Sequence, residues 1–328
     1  MNKVFVILVL IPLILYTGND KLEQRLEKSD SIYNVIIEKN DSLIFRKYYN
    51  GKFDSSLVNI QSVTKSILAI LIGIAIDKQI LKSIDQKIAE YFPEINFEDD
   101  TLKKQITIRH LLNQTSGLRA ENIIDLEGWI NSPNHVEYVL SFPLNSIPGE
   151  LYNYNSAASH LLSVILQRAA KQSTEQFAAD NLFKPLGIVH FKWEQLNDGY
   201  FDGGGLLSIW MRGDDLLKLG QLILNKGKWN NRHLVSEGWI NELLNKSNKV
   251  PAHWGLKGSL HGMCWYTAVY KNIIVHFAMG YGGQYIFIIP QMKSVIVANH
   301  NHDTAEGIKQ SNDFFEYIFP LLIDKVTY

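Results

Sequence analysis

The stretch that decides the fold is NIQSVTKSILAILIGIAID, residues 59–77. From Ile67 to Ile76 every residue is aliphatic except Gly73. A run this long with no polar stripe predicts a helix that is apolar on all sides and sits at the centre of a domain. The polar residues gather at its start, and Ser62 and Lys65 stand three apart in an S-x-x-K pattern. Three residues is just under one helical turn, so both side chains share a face. At a helix N-terminus a serine meets free backbone N–H groups and the positive end of the dipole, which favour negative charge on an attacking oxygen and on the oxyanion that follows. A lysine packed against an apolar helix is expected to have its pKa lowered by desolvation. Its neutral amine can then take the serine proton. The pattern alone does not decide the matter. Roughly one S-x-x-K arises by chance in a chain this long, and a capping serine followed by a lysine reaching for solvent fits the stretch equally well.

Working outward, YNVIIEKNDSLIFRKYYNG holds two β-rich runs around Lys39-Asn40-Asp41, a hairpin signal. The middle of the chain reads helical. ITIRHLLNQTSGL is a short helix stopped by Gly117, and SAASHLLSVILQRAAKQ and DDLLKLGQLILNKG carry apolar residues at helical spacing. Near the end, CWYTAVY, NIIVHFAM, QYIFIIP and SVIVANH are four β-rich runs, followed by an amphipathic helix, SNDFFEYIFPLLIDKV. Strands at both ends with helices between predict an α/β (α+β) class fold. One antiparallel sheet is built from both termini, about residues 30–60 and 260–300, flanked by helices, with a mainly helical insertion over about 78–250.

Bulk composition narrows the function. The 328 residues are 46% hydrophobic and 20% charged, with a net charge of −1. That is ordinary for a globular protein and gives no basic footprint for nucleic acid or an anionic membrane surface. Cys264 is the single cysteine, so no intrachain disulfide forms. The N-terminal segment, residues 1–18, has one lysine and then an apolar run from Val4 to Tyr16. The run is short for a membrane span and the right length for a signal core. It reads as an export signal, cleaved or retained as an anchor, which would place the protein in the periplasm or outside the cell. Residues 19–328 would form one domain.

A second constellation bears on Ser62. PGELYNYNS places Tyr154 in a Pro-Gly loop just before a helix, as Tyr-x-Ser with Ser156. A tyrosine held near a serine and a lysine can carry a proton to a leaving group. With these landmarks the chain resembles the serine hydrolases related to class C β-lactamases and penicillin-binding proteins, a family that includes esterases, D-amino-acid peptidases and 6-aminohexanoate-oligomer hydrolases. The resemblance runs from about residue 30 to about 300. It is carried by QSVTKSILAILIGIAIDKQILKSIDQKIAEYFPE, ITIRHLLNQTSGL, PGELYNYNS, GGGLLS with DDLLKLGQLIL, and MGYGGQYIFIIP.

The resemblance implies Ser62 as nucleophile and Lys65 with Tyr154 as the base and proton relay, with either one as the acylation base. It implies an oxyanion hole from the backbone N–H groups of Ser62 and Tyr281. Substrate contacts fall to Ser156, Gly280, Gly282 and Gly283. Separately, Trp129, Trp265 and Tyr266 are candidates to line the pocket, because aromatic residues dominate apolar sites, and core packing explains them about equally well. Two departures stand out. Ser156 replaces the asparagine of the β-lactam-recognising relatives, and Ala278-Met279-Gly280 replaces a triplet that opens with a cation. The motif is therefore closer to the esterase and amide-hydrolase branch. His276 lies on the same strand face as Ala278 and reads as a packed histidine more readily than as a replacement charge.

No cofactor or metal is implied. HNHD at 300–303 reads as a surface loop, Gly203–Gly205 lacks a following Gly-Lys-Ser/Thr for phosphate, and His110 reads as structural. The expected function is an exported serine hydrolase acting on a small-molecule or peptide ester or amide, with membrane attachment only through the N-terminal segment. The alternatives are a penicillin-binding protein, D-alanyl peptidase or β-lactamase, and a non-catalytic binding module on the same scaffold.

Overall fold

The computed structural model describes residues 21–97, 100–119, 126–245 and 249–327. The segment 1–18, read above as an export signal, lies outside the described residues.

The two ends of the chain meet in one eight-stranded antiparallel sheet. In spatial order its strands are Ser42–Tyr48, Ile32–Lys39, Ser294–His300, Gln284–Ile289, Ile273–Gly280, Trp265–Tyr270, Leu260–Gly262 and Val250–Pro251. The N-terminal hairpin turns through Asn40 and Asp41, both at positive φ, as a two-residue hairpin turn demands. Its first strand then pairs with the last strand, with Ile36 opposite Val297.

Successive strand residues face opposite sides, and here both sides are covered. Ile36, Ala278, Ile286, Val295 and Val297 face one core. Val35, Phe277, Phe287, Ile296 and Ala298 face a second core under the terminal helices, which contribute Leu22, Leu26, Phe314 and Leu322. Two buried faces explain why Gln284–Ile289 and Ser294–His300 are buried at every position.

The helix Val63–Asp77 is buried from Val63 to Ala75 and forms the spine of the first core. Each large aliphatic side chain so placed contributes about 1.5–3 kcal/mol. The helix Ser156–Ala170 packs beside it.

Three details depart from the expected layout. The N-terminal part of the sheet ends at Tyr48, because residues 49–57 hold two turns and no strand. Val58–Asn59 instead joins Ile209–Met211 and Lys192–Trp193 in a small second sheet. The 78–250 region is mainly helical but carries these and other short strands. Finally, the helix Gly213–Leu224 returns to the main sheet. Its Gly213 lies against Asn34 and Ile36, and its Gly220 against Val295 and Ile286.

Gly73 shows how closely the spine is packed. The Trp239 indole lies across it and donates from Nε1 to Ala69 O at 2.9 Å. A Cβ at residue 73 would fall 2.1 Å from that ring. In an open helix Gly→Ala gains about 1 kcal/mol. Here the sign reverses. Gly73→Ala should lower the unfolding free energy by about 1–3 kcal/mol, read as a fall in urea midpoint at unchanged m-value.

Candidate active site

Ser62 sits at the N-cap of the buried helix with φ −65° and ψ −5°, and its side chain makes no capping bond. The hydroxyl is turned to other partners. Lys65 Nζ lies 2.8 Å from Ser62 Oγ, and the Tyr154 hydroxyl donates to the same Oγ at 2.8 Å. Lys65 is 3% exposed, so it does not reach for solvent. Its Nζ also donates to Ser156 Oγ at 3.1 Å and to the Gly204 carbonyl, and it stands 4.8 Å from the centroid of the Tyr154 ring. The structure thus brings Ser62, Lys65, Tyr154 and Ser156 together. Ser62 and Tyr154 are half-buried and the other two buried.

Each side chain is held by a local device. Gln61, just before the serine, has φ +50°, a left-handed turn that non-glycine residues rarely adopt. Its backbone N–H and side-chain amide both donate to Asn59 Oδ1. Thr64 Oγ1 meets Ser208 Oγ at 2.7 Å, and Ser208 donates back to Gln61 O. The polar opening of the helix is therefore committed to this one corner.

The tyrosine loop is pinned by Gln114 of the ITIRHLLNQTSGL segment. Gln114 O accepts from Asn153 N, and Gln114 Oε1 from Asn155 N at 2.7 Å. Asn155 then caps the next helix by accepting from Ala158 N. Tyr154 is fixed between two ordered neighbours. His110, read as structural, closes a capping box with Thr107 under Gly149.

Two glycines let other chain segments close on the serine. A Cβ at Gly205 would lie 2.8 Å from Ser62 Cα, and one at Gly280 would lie 2.4 Å from Ile60 O. Gly280 ends the strand Ile273–Gly280, so the Tyr281 backbone follows directly beside the 60–62 corner. Among the described residues, neither the Ser62 nor the Tyr281 backbone N–H has an acceptor. The Tyr281 ring turns away, its hydroxyl donating to Thr304 O at 2.8 Å.

Asp202 was missed from the sequence. It is fully buried and its carboxylate accepts five backbone N–H groups, from Gly204, Gly205, Leu206, Leu207 and Ser208. This wraps the glycine loop and sets the Gly204 carbonyl on Lys65. The signal available was an Asp immediately before three glycines, an Asx-turn composition. Behind the loop, His160 Nδ1 accepts from Gly203 N at 3.2 Å, and Asp198 Oδ2 lies 3.6 Å from His160 Nε2 and 3.2 Å from His135 Nδ1.

Several expected site residues stand elsewhere. Trp129 and Trp265 are 0% and 1% exposed. Trp129 packs on His135 and His160 behind the glycine loop, so both indoles are core residues and line no opening. Tyr266 is likewise buried, stacked on Phe277. Ser156 is 1% exposed and hydrogen-bonds to Lys65, so it supports the lysine more directly than a substrate. Gly282 and Gly283 have φ +72° and +97° and press against Asn301, His302 and His300. The turn geometry and that packing by themselves require glycine at both positions. His300 is no surface residue either: it is buried, with Nδ1 2.6 Å from Gly283 O. Among the described residues, no group of three His, Cys, Asp or Glu could hold a metal ion.

Electrostatics at the edge of the site are set by burial. His276 is pushed down to about 4 by desolvation and then by Lys249, so it is neutral at pH 7. It shares Thr267 Oγ1 with the Lys249 ammonium, whose own pKa burial lowers to about 8. His261, next to Tyr152 and Tyr154, is lowered to about 3 by burial, then by Lys249 and Lys65. Burial also lifts the Cys264 thiol to about 12, leaving it unreactive.

A model of the family described as Beta-lactamase matches residues 34–315. The chain is 26% identical over 176 residues to Protein flp of Staphylococcus aureus (strain MW2), covering 50% of this chain and 35% of that protein. The chain therefore spans about a third of that relative's length. Among solved structures it is similar to EstCE1, described as a hydrolase with promiscuous acyltransferase activity. The TM-score is 0.71 at 17% identity, covering 94% of this chain and 96% of that one. It is also similar to a Bacillus anthracis protein provisionally assigned as a 6-aminohexanoate-dimer hydrolase, with TM-score 0.76 at 15% identity, covering 92% and 81%. At these identities the structural likeness speaks for the fold.

The buried histidines give a pH prediction. His261, His276 and His300 have folded pKa values of about 3, 4 and 4, below the ordinary value near 6.5. Between pH 6.5 and about 4 the unfolded chain takes up protons that the native one refuses, so stability falls as pH falls. Each histidine contributes about 1.4 kcal/mol per pH unit in that window. Urea unfolding should show this slope, and His276→Gln should make it shallower by about one proton.

Proposed function

The chain belongs to the Beta-lactamase family, and on that premise we propose that it is a serine hydrolase cleaving an ester or amide through an acyl-enzyme on Ser62. One observation carries the reading: Ser62 Oγ lies 2.8 Å from both Lys65 Nζ and the Tyr154 hydroxyl at the mouth of a buried helix.

The lysine shell suits a base. Three of its hydrogen-bond partners, Ser62 Oγ, Ser156 Oγ and Gly204 O, are neutral. A neutral amine donates to Ser156 and Gly204 and accepts from Ser62. An ammonium donates to all three. Nζ can therefore gain a proton without rearranging these three partners.

The steps follow. Ser62 Oγ attacks the substrate carbonyl carbon as its proton passes to the Lys65–Tyr154 pair. The tetrahedral oxyanion is met by the N–H groups of Ser62 and Tyr281. As the bond to the leaving oxygen or nitrogen breaks, that atom receives the proton through Tyr154. Water then attacks the acyl-enzyme, gives its proton to the same pair, and Ser62 is released. The Ala278 triplet and a neutral His276 favour substrates without a carboxylate at that strand. A second reading rests on Lys249, a half-buried ammonium bonded to Thr267 beside His276. It brings a cation to the strand pair whose own triplet lacks one, and it would suit a penicillin or a D-alanyl peptide. The reading keeps residues 19–328 as one hydrolase domain, exported by the segment 1–18. Among the described residues no helix is long and apolar enough to cross a membrane.

A fluorophosphonate probe should label Ser62, identified by peptide mass spectrometry. Lys65→Ala should abolish labelling and ester hydrolysis, and Tyr154→Phe should slow turnover by about 10²–10⁴-fold. Unlabelled Ser62 in folded protein contradicts the reading. Turnover confined to a chromogenic cephalosporin or a D-Ala-D-Ala peptide would favour the second one.

A further inference from the structure

Trp254 is an exposed indole held beside the proposed catalytic tyrosine. It is 46% exposed, and its ring stands 6.0 Å from the Tyr154 ring, centroid to centroid, at 84°. Tyr154 in turn donates to Ser62 Oγ at 2.8 Å. An indole left in water on a monomer surface forgoes much of the burial it could gain, so its placement asks for a reason.

The loop that carries it is fixed rather than loose. Ala252 N donates to Ser259 O at 2.8 Å and Ser259 N to Leu256 O at 2.9 Å, closing the loop at its base. Leu256 is buried in the second core. Gly255, at φ +92°, lets the backbone pass within a Cβ's reach of Phe277. The anchor lies one residue from the anchored glycine and two from the indole, so Trp254 is held out while its neighbours are held in. On its other side His253 packs at 6.3 Å and leads on to Tyr152. A rigid aromatic surface of this kind binds with little loss of side-chain entropy.

We infer that Trp254 forms the leaving-group wall of the site and selects esters or amides whose leaving group is flat and apolar, an aryl or aralkyl alcohol or amine. The inference rests on the hydrolase reading above, because the side of the site next to Tyr154 is the leaving-group side only if Tyr154 delivers the proton there. Binding energy from the ring then holds the departing atom within reach of the Tyr154 hydroxyl.

The test compares 2-phenylethyl acetate with ethyl acetate, whose alcohols have about the same acidity, so that intrinsic reactivity cancels. Wild-type protein should prefer the phenylethyl ester in kcat/KM by about tenfold or more. Trp254→Ala should lower that ratio about tenfold, chiefly through KM, and Trp254→Phe should restore most of it. Tyr317→Ala, an exposed aromatic on the C-terminal helical segment, should leave the ratio unchanged. Fluorophosphonate labelling of Ser62 is measured on the same samples. Labelled wild-type protein with no phenylethyl preference, or a preference that survives Trp254→Ala, overturns the inference while the hydrolase reading stands. Unlabelled Ser62 in folded wild-type protein overturns both.

Discussion

A lysine amine placed inside the apolar core, three residues after the serine it touches, is the constraint on which the rest of the site depends. An amine in that position is costly unless its hydrogen bonds are met. The fold meets them from three directions: the helix's own Ser62, Ser156 of the neighbouring helix, and the Gly204 carbonyl of the glycine loop. None of the three is charged. The same arrangement that makes the lysine tolerable holds its amine against the Ser62 hydroxyl.

Much of the surrounding structure serves to bring those groups to one corner. Asp202 curls the glycine loop so that one carbonyl faces Lys65. Gly205 and Gly280 give up side chains so that two segments can close on residues 60–62. Gln114 ties the tyrosine loop to the 106–118 segment. These are backbone accommodations, and a side chain at either glycine would push the segments apart.

How legible this was in the sequence depended on the range of the interaction. The buried helix, the hairpin and the four late strands follow from local periodicity, and strands at both ends with helices between pointed to one sheet. Ser62, Lys65 and Tyr154 sit on ordered motifs, and the structure brings the three within hydrogen-bond distance. What escaped depends on which way a side chain turns in three dimensions. Trp129 and Trp265 are aromatic and so looked like pocket residues, but they pack inward. Trp254 lies in a loop of no recognisable pattern, yet it is the exposed one beside Tyr154. Gly282 and Gly283 looked like a substrate approach and serve the turn and the 300–302 segment. Asp202 carries a turn signal whose importance shows only when its five donors are seen together.

The central claim is that Ser62, the Lys65–Tyr154 pair and the Tyr281 backbone act on one carbonyl. A crystal structure of the protein phosphonylated on Ser62 tests it most directly. The account predicts one phosphonyl oxygen within about 3 Å of both the Ser62 and Tyr281 backbone nitrogens, with the Tyr154 hydroxyl on the leaving-group side. An adduct whose oxygen points to solvent, or toward donors other than these two, would contradict it.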